Sequence, residues 1–112
     1  MRRQKTYSAQ SGYVYQYFYE GYRATGAATE FVFDVSSDRK SSFHVPVLLS
    51  DNGTAAWEKA HSRDLNSTER YAIAKMALFA AFDGRQNPDE MKKPVPVDAE
   101  NVEEILAALD FA

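Results

Sequence analysis

Three runs of alternating residues constrain this chain more than anything else in it. They are YVYQYFYEGYR (13–23), EFVFDVS (30–36) and SFHVPVLL (42–49). Successive side chains of a strand point to opposite faces, so a period of two marks a half-buried strand. The connections are short: ATGAAT (24–29), small and turn-like, and SDRKS (37–41), polar. Short connections join antiparallel neighbours, which predicts a three-stranded β-β-β meander. Pro46 cannot donate to a strand ladder, so the third strand is expected at a sheet edge or a bulge. Residues 1–10 are polar without a period and read as a flexible tail.

The period then changes. After the turn-like SDNG (50–53), a short helix is expected over residues 54–62, with Trp57, Ala60 and His61 on one side. A second helix starts with Asn66 or Ser67 as cap and Glu69 in its first turn, where a negative charge suits the helix dipole. It runs to about Asp83, with Gly84 as the stop. RQNPDEMKKPVPV (85–97) contains three prolines and reads as an extended linker. Asp98 caps a last helix, in which Val102, Ile105, Leu106 and Leu109 form one apolar stripe. Strands followed by helices, rather than alternating with them, give an α+β fold with helices on one sheet face. The reading divides the chain into a tail (1–10), a core domain (11–84), a linker (85–97) and a C-terminal amphipathic helix (98–112).

Five of the seven tyrosines lie in the first run. Alternation puts Tyr13, Tyr15, Tyr17 and Tyr19 on one face, and Val14, Gln16, Phe18, Glu20 and Tyr22 on the other. Burying an unpaired carboxylate costs several kcal/mol, whereas tyrosine can bury its ring and leave its hydroxyl at the rim. The four-tyrosine face is therefore expected to meet the helices. The core would join Tyr15, Tyr17, Phe31, Phe33, Val45 and Val47 to Trp57, Tyr71, Ala74, Leu78 and Ala81. The first run would span ~36 Å and the second ~23 Å, so one end overhangs and a tyrosine near Tyr13 or Tyr19 is part exposed. Gly21 is a candidate bulge that would turn Tyr22 another way.

Composition bounds the function. The 112 residues are 45% hydrophobic and 26% charged, as in one folded domain, and there is no cysteine. That excludes disulfides, thiol nucleophiles and cysteine-ligated metal. His44 and His61 lack metal-ligand spacing, no phosphate loop or nucleophile elbow exists, and no cofactor or metal is expected. MRRQKTYSAQ has no apolar stretch after its basic start, and the longest near-apolar run is too short to span a membrane. A cytoplasmic protein without membrane association is the expectation.

Three function readings follow. The first is a non-enzymatic domain that binds a protein or itself, because the helix over 71–82 is apolar on most sides and the last helix is separately amphipathic. Its sheet site would be the face of Gln16, Phe18, Glu20, Tyr22 and His44. The second is an aromatic stacking face of Tyr13, Tyr15, Tyr17 and Tyr19 for single-stranded nucleic acid or a sugar. A net charge of −3 weighs against nucleic acid. The third is an enzyme with an acid/base cluster at Glu20, Asp34 and His44, which requires those side chains to meet on one concave surface.

Overall fold

The alternating runs pair as antiparallel neighbours, but they are not the whole sheet. The computed structural model describes residues 3–110. Its strands are β1 (Lys5–Ser8), β2 (Val14–Thr25), β3 (Ala28–Ser36), β4 (Phe43–Ser50) and β5 (Val95–Val97). They lie in sequence order in one curled sheet, antiparallel from β1 to β4, with β5 parallel to β4. Helices α1 (Asp51–His61), α2 (Ser67–Gly84) and α3 (Ala99–Ala108) complete an α+β fold. No helix among the described residues is long and apolar enough to cross a membrane.

The three-stranded meander is thus corrected to five strands, and both additions come from segments read as unstructured. Residues 5–8 of the expected tail pair with β2, where Tyr7 stacks on Phe79 at 4.4 Å between ring centres. The Tyr7 hydroxyl donates to Asp83 Oδ2 at 2.7 Å. The expected linker forms a single 3-10 turn (Glu90–Lys92) and then β5. Arg85 orders it: its guanidinium donates to the carbonyls of Glu90, Lys93 and Pro94 at 3.0, 2.6 and 2.7 Å. These are backbone acceptors, which a residue pattern does not reveal. Met91, Val95 and Val97 are buried as a result. Pro46 needs a matching correction: β4 is interior where it pairs with β5, but that pairing begins one residue later, at Val47.

Helix starts follow side-chain chemistry. Ser50 caps α1 by accepting from the Gly53 amide at 3.1 Å, so SDNG opens a helix instead of forming a turn. Asn66 accepts from the Glu69 amide at 2.8 Å, and Glu69 accepts from the Asn66 amide at 3.0 Å. This reciprocal pair is the capping box, and Asp98 and Asn101 repeat it at α3. Glu69 is also held by Arg63 through two bonds of 3.0 and 2.7 Å. That guanidinium first, and then the Asn66 amide, keep its carboxyl below the usual range.

The core lies between the sheet and the helices. Tyr15, Tyr17, Phe31, Phe33, Val45 and Val47 are buried with Trp57, Ala74 and Leu78, as the alternation predicts, while Tyr71 and Ala81 are only partly buried. Phe82, absent from that expected core, is fully buried and stacks on Tyr15 at 4.4 Å. The apolar girth of α2 is covered within the chain, by β1 on one side and by α3 on another. Val102 and Leu106 of α3 are fully buried, and each such burial stabilises by about 1.5–3 kcal/mol.

Candidate functional site

β2 changes character at Gly21. Tyr19 pairs with Phe33, yet Gly21 pairs with Val32, so Glu20 is an extra residue in the ladder. Gly21 has φ 141°, a region that residues with a side chain avoid. The bulge reverses the parity of everything after it. Tyr22 becomes the register partner of buried Phe31 and joins the helix-side face. Its assignment to the face of Gln16, Phe18 and Glu20 is therefore corrected, and the bulge expected at Gly21 is the cause.

Beyond the bulge, α2 covers the sheet only as far as its first turn. The open end there is a cleft of about 530 Å³. Tyr19, Tyr22, Phe31 and Tyr71 supply its rings, and Thr29, Ser67, Thr68 and Arg70 its polar rim. Tyr19 lies 4.8 Å from Tyr71, and Tyr22 lies 5.9 Å from Phe31. Tyr22 is 70% exposed, the most open large apolar side chain among the described residues. Burial pushes the Tyr19 and Tyr71 hydroxyls up, so both stay neutral donors at ordinary pH. Arg70 is paired with Glu58 at 3.2 Å. The cleft is aromatic, hydroxyl-rimmed and close to charge-neutral.

The stacking face of Tyr13, Tyr15, Tyr17 and Tyr19 does not exist as a surface. Tyr15 and Tyr17 are core, and Tyr13 precedes β2 and is exposed. Only Tyr19 reaches an opening. Nor is the opposite face the open platform expected of it. Gln16 is just 4% exposed, because β1 and β3 flank it with Thr6 and Ser36 as its register partners. Its Oε1 accepts no hydrogen bond. Phe18 is half-buried.

Farther along that outer face the acid/base residues do converge. Phe18, Asp34 and His44 share one row of the ladder. His44 Nε2 is 3.6 Å from Glu20 Oε2 and 3.8 Å from Asp34 Oδ1. Glu20 and His44, but not Asp34, border a shallow concavity of about 540 Å³, together with Gly21, Tyr22, Arg23, Glu30, Val32 and Pro46. Both separations exceed hydrogen-bond length, and the His44 side chain is 65% exposed. The other histidine, His61, stacks on Trp57 at 4.3 Å and meets Glu103 at 3.1 Å, tying α1 to α3. No group of three or more His, Asp or Glu among the described residues is arranged to hold a metal ion.

Sequence reasoning found Tyr19 and Tyr22 but missed the other walls. Phe31 was readable as the residue opposite Tyr22 once Gly21 is taken as a bulge. Tyr71, Ser67, Thr68 and Arg70 come from α2, and no pattern in the chain reports where that helix ends over the sheet. Comparison with protein-family models, with curated proteins and with solved structures finds no match to this chain.

Proposed function

We propose that this chain is a non-enzymatic binding domain whose site is the aromatic cleft at the open end of the sheet, with a protein as its partner. One observation carries the reading. Four rings surround an opening of about 530 Å³, and the outermost of them, Tyr22, is left 70% exposed. Binding sites combine apolar walls with a few placed polar groups, and exposed aromatics are the usual anchors of protein contacts. With Arg70 already neutralised by Glu58, phosphate has no free cation in the cleft, which weighs against nucleic acid. The test is a set of amide and methyl NMR titrations with N-acetyltyrosinamide, cellobiose and oligothymidylate. Shifts are expected at Tyr22, Thr29 and Thr68, and should vanish in Tyr22→Ala. Shifts confined to the outer face around His44 would overturn the assignment.

A second reading has its own observation: Glu20 and Asp34 both approach His44, beside a shallow concavity that Glu20 and His44 line. A histidine flanked by carboxylates can move protons. An exposed ion-pair cluster accounts for the same geometry, since such pairs hold at little energetic benefit. A hydrolytic or isomerase activity that survives Tyr71→Ala and is lost in His44→Gln would favour the enzyme.

A further inference from the structure

Each border of the sheet is guarded except one: even the start of β4, which β5 does not reach, carries Pro46 and has Lys92 over the Phe43 ring at 5.7 Å. The β5 border carries Pro96 at its middle, with Pro94 and Lys93 just before it. The β1 border is four residues long and starts with Lys5. Short edges, prolines and lysines are what keep strands from pairing with other chains. The remaining border belongs to β2. β1 pairs with β2 only at Val14, Tyr15, Gln16 and Tyr17. No strand among the described residues pairs with residues 21–25 on the side away from β3. This stretch has no proline and no lysine. Its one charge, Arg23, is drawn across to Glu30 on β3 at 2.7 Å. Tyr22, Arg23, Ala24 and Thr25 are all exposed.

The segment has sharp limits. The bulge starts it, and a two-residue turn ends it, with Gly26 at φ 63° as a type II′ hairpin requires at that position. Five residues of strand span ~17 Å. The cleft lies against this segment on the helix side through Tyr22, and the shallow outer concavity lies against it on the other, through Gly21, Tyr22 and Arg23.

We infer that residues 21–25 of β2 accept an extended peptide as an added strand, which sends one aromatic or large aliphatic side chain into the cleft of Tyr19, Tyr22, Phe31 and Tyr71. This rests on the cleft being the binding site and names its partner. Strand addition draws affinity from main-chain hydrogen bonds and specificity from pockets that take alternate side chains. Here the edge provides the first and the cleft the second. A sugar would use the cleft but leave the edge bare. A second copy of this chain is the poorer occupant. Stable dimers bury roughly 1,200–2,000 Å² in total, more than two five-residue edges can cover.

The experiment is selection of the full chain against a displayed random heptapeptide library, followed by backbone methylation of the tightest peptide. Expected is an alternating, β-branched consensus with one aromatic or large aliphatic position. N-methylation at amides of one parity should weaken binding roughly tenfold or more, and at the other parity should leave it unchanged. Alternate amides within residues 21–25 should gain protection from hydrogen exchange, and Tyr22→Ala should weaken binding by about tenfold. If methylation is tolerated at both parities, or those amides stay unprotected, strand addition is wrong while the cleft remains the site. If no peptide is selected but cellobiose or oligothymidylate shifts the cleft resonances, the partner class is wrong and the cleft reading stands. If none of these probes touches the cleft, both fall. Sedimentation as a dimer with residues 21–25 already protected would give the edge to a second copy and overturn the inference.

Discussion

The two halves of β2 use the same residue for opposite purposes. Before the bulge, Tyr15 and Tyr17 are buried against Phe79 and Phe82, with β1 on one side and β3 on the other. After it, Tyr22 keeps β3 but has no β1 beside it and no helix above it, and it stays exposed. Residue type is constant across the comparison, so the neighbours decide the role. A tyrosine is core where two strands and a helix converge on it, and a surface anchor where only one strand remains.

The largest effect should come from removing a ring in the closed half. Tyr15→Ala is expected to cost about 3–5 kcal/mol in urea unfolding, the range for emptying a large aromatic site in a core. Should it cost no more than a surface change, the closed half is not closed. Gly21→Ala comes next, at about 1–3 kcal/mol, because alanine has space there but not the φ of 141°. It should also disturb the resonances of residues 22–25 more than those of residues 14–19. Undisturbed residues 22–25 would mean that the bulge does not set the parity of the open half.

Asn66→Ala removes the cap of the helix whose first turn forms the cleft wall. About 1 kcal/mol of stability should be lost, with the cleft resonances broadened first. A loss spread evenly over α2 would separate the cleft from the helix start. A smaller, pH-dependent effect belongs to the closed half. The amides of Ser41 and Lys40 hold the Asp38 carboxyl down at about 2. Its folded value lies below its unfolded value, so its stabilisation is full above pH ~4 and is lost as the pH falls through about 2. Because Asp38 ties the turn that follows Ser36, the partner of Gln16, acid should loosen the closed end before the open one. Asp38→Asn should flatten that part of the pH–stability curve. Last, Tyr22→Ala should change stability by less than about 0.5 kcal/mol while weakening peptide binding about tenfold. A large stability loss would make Tyr22 core after all, and the comparison would collapse.

Much of this was legible in the sequence. Alternation identified β2, β3 and β4 and the face of Tyr15 and Tyr17, because side-chain direction in a strand is local. Asn66, Glu69 and Asp98 announced their helices through bonds that reach only three residues. Glu20, Asp34 and His44 could be grouped because neighbouring strands bring opposite residues together. The short strands β1 and β5 were not legible. Four residues of KTYS and three of VPV carry little pattern, and each becomes a strand only because a partner's edge is waiting for it.

What the sequence by itself determined is the local material: three half-buried strands, three helices (two with their caps), a glycine fit for a bulge, and tyrosines in excess. What only the tertiary structure decided is which tyrosine stays open. Tyr22 is exposed because β1 stops pairing at Tyr17 and α2 starts short of the sheet's end. Neither limit is a property of residues near Tyr22. Both depend on how far distant segments reach once packed, and packing reach is not encoded in the pattern of any single run.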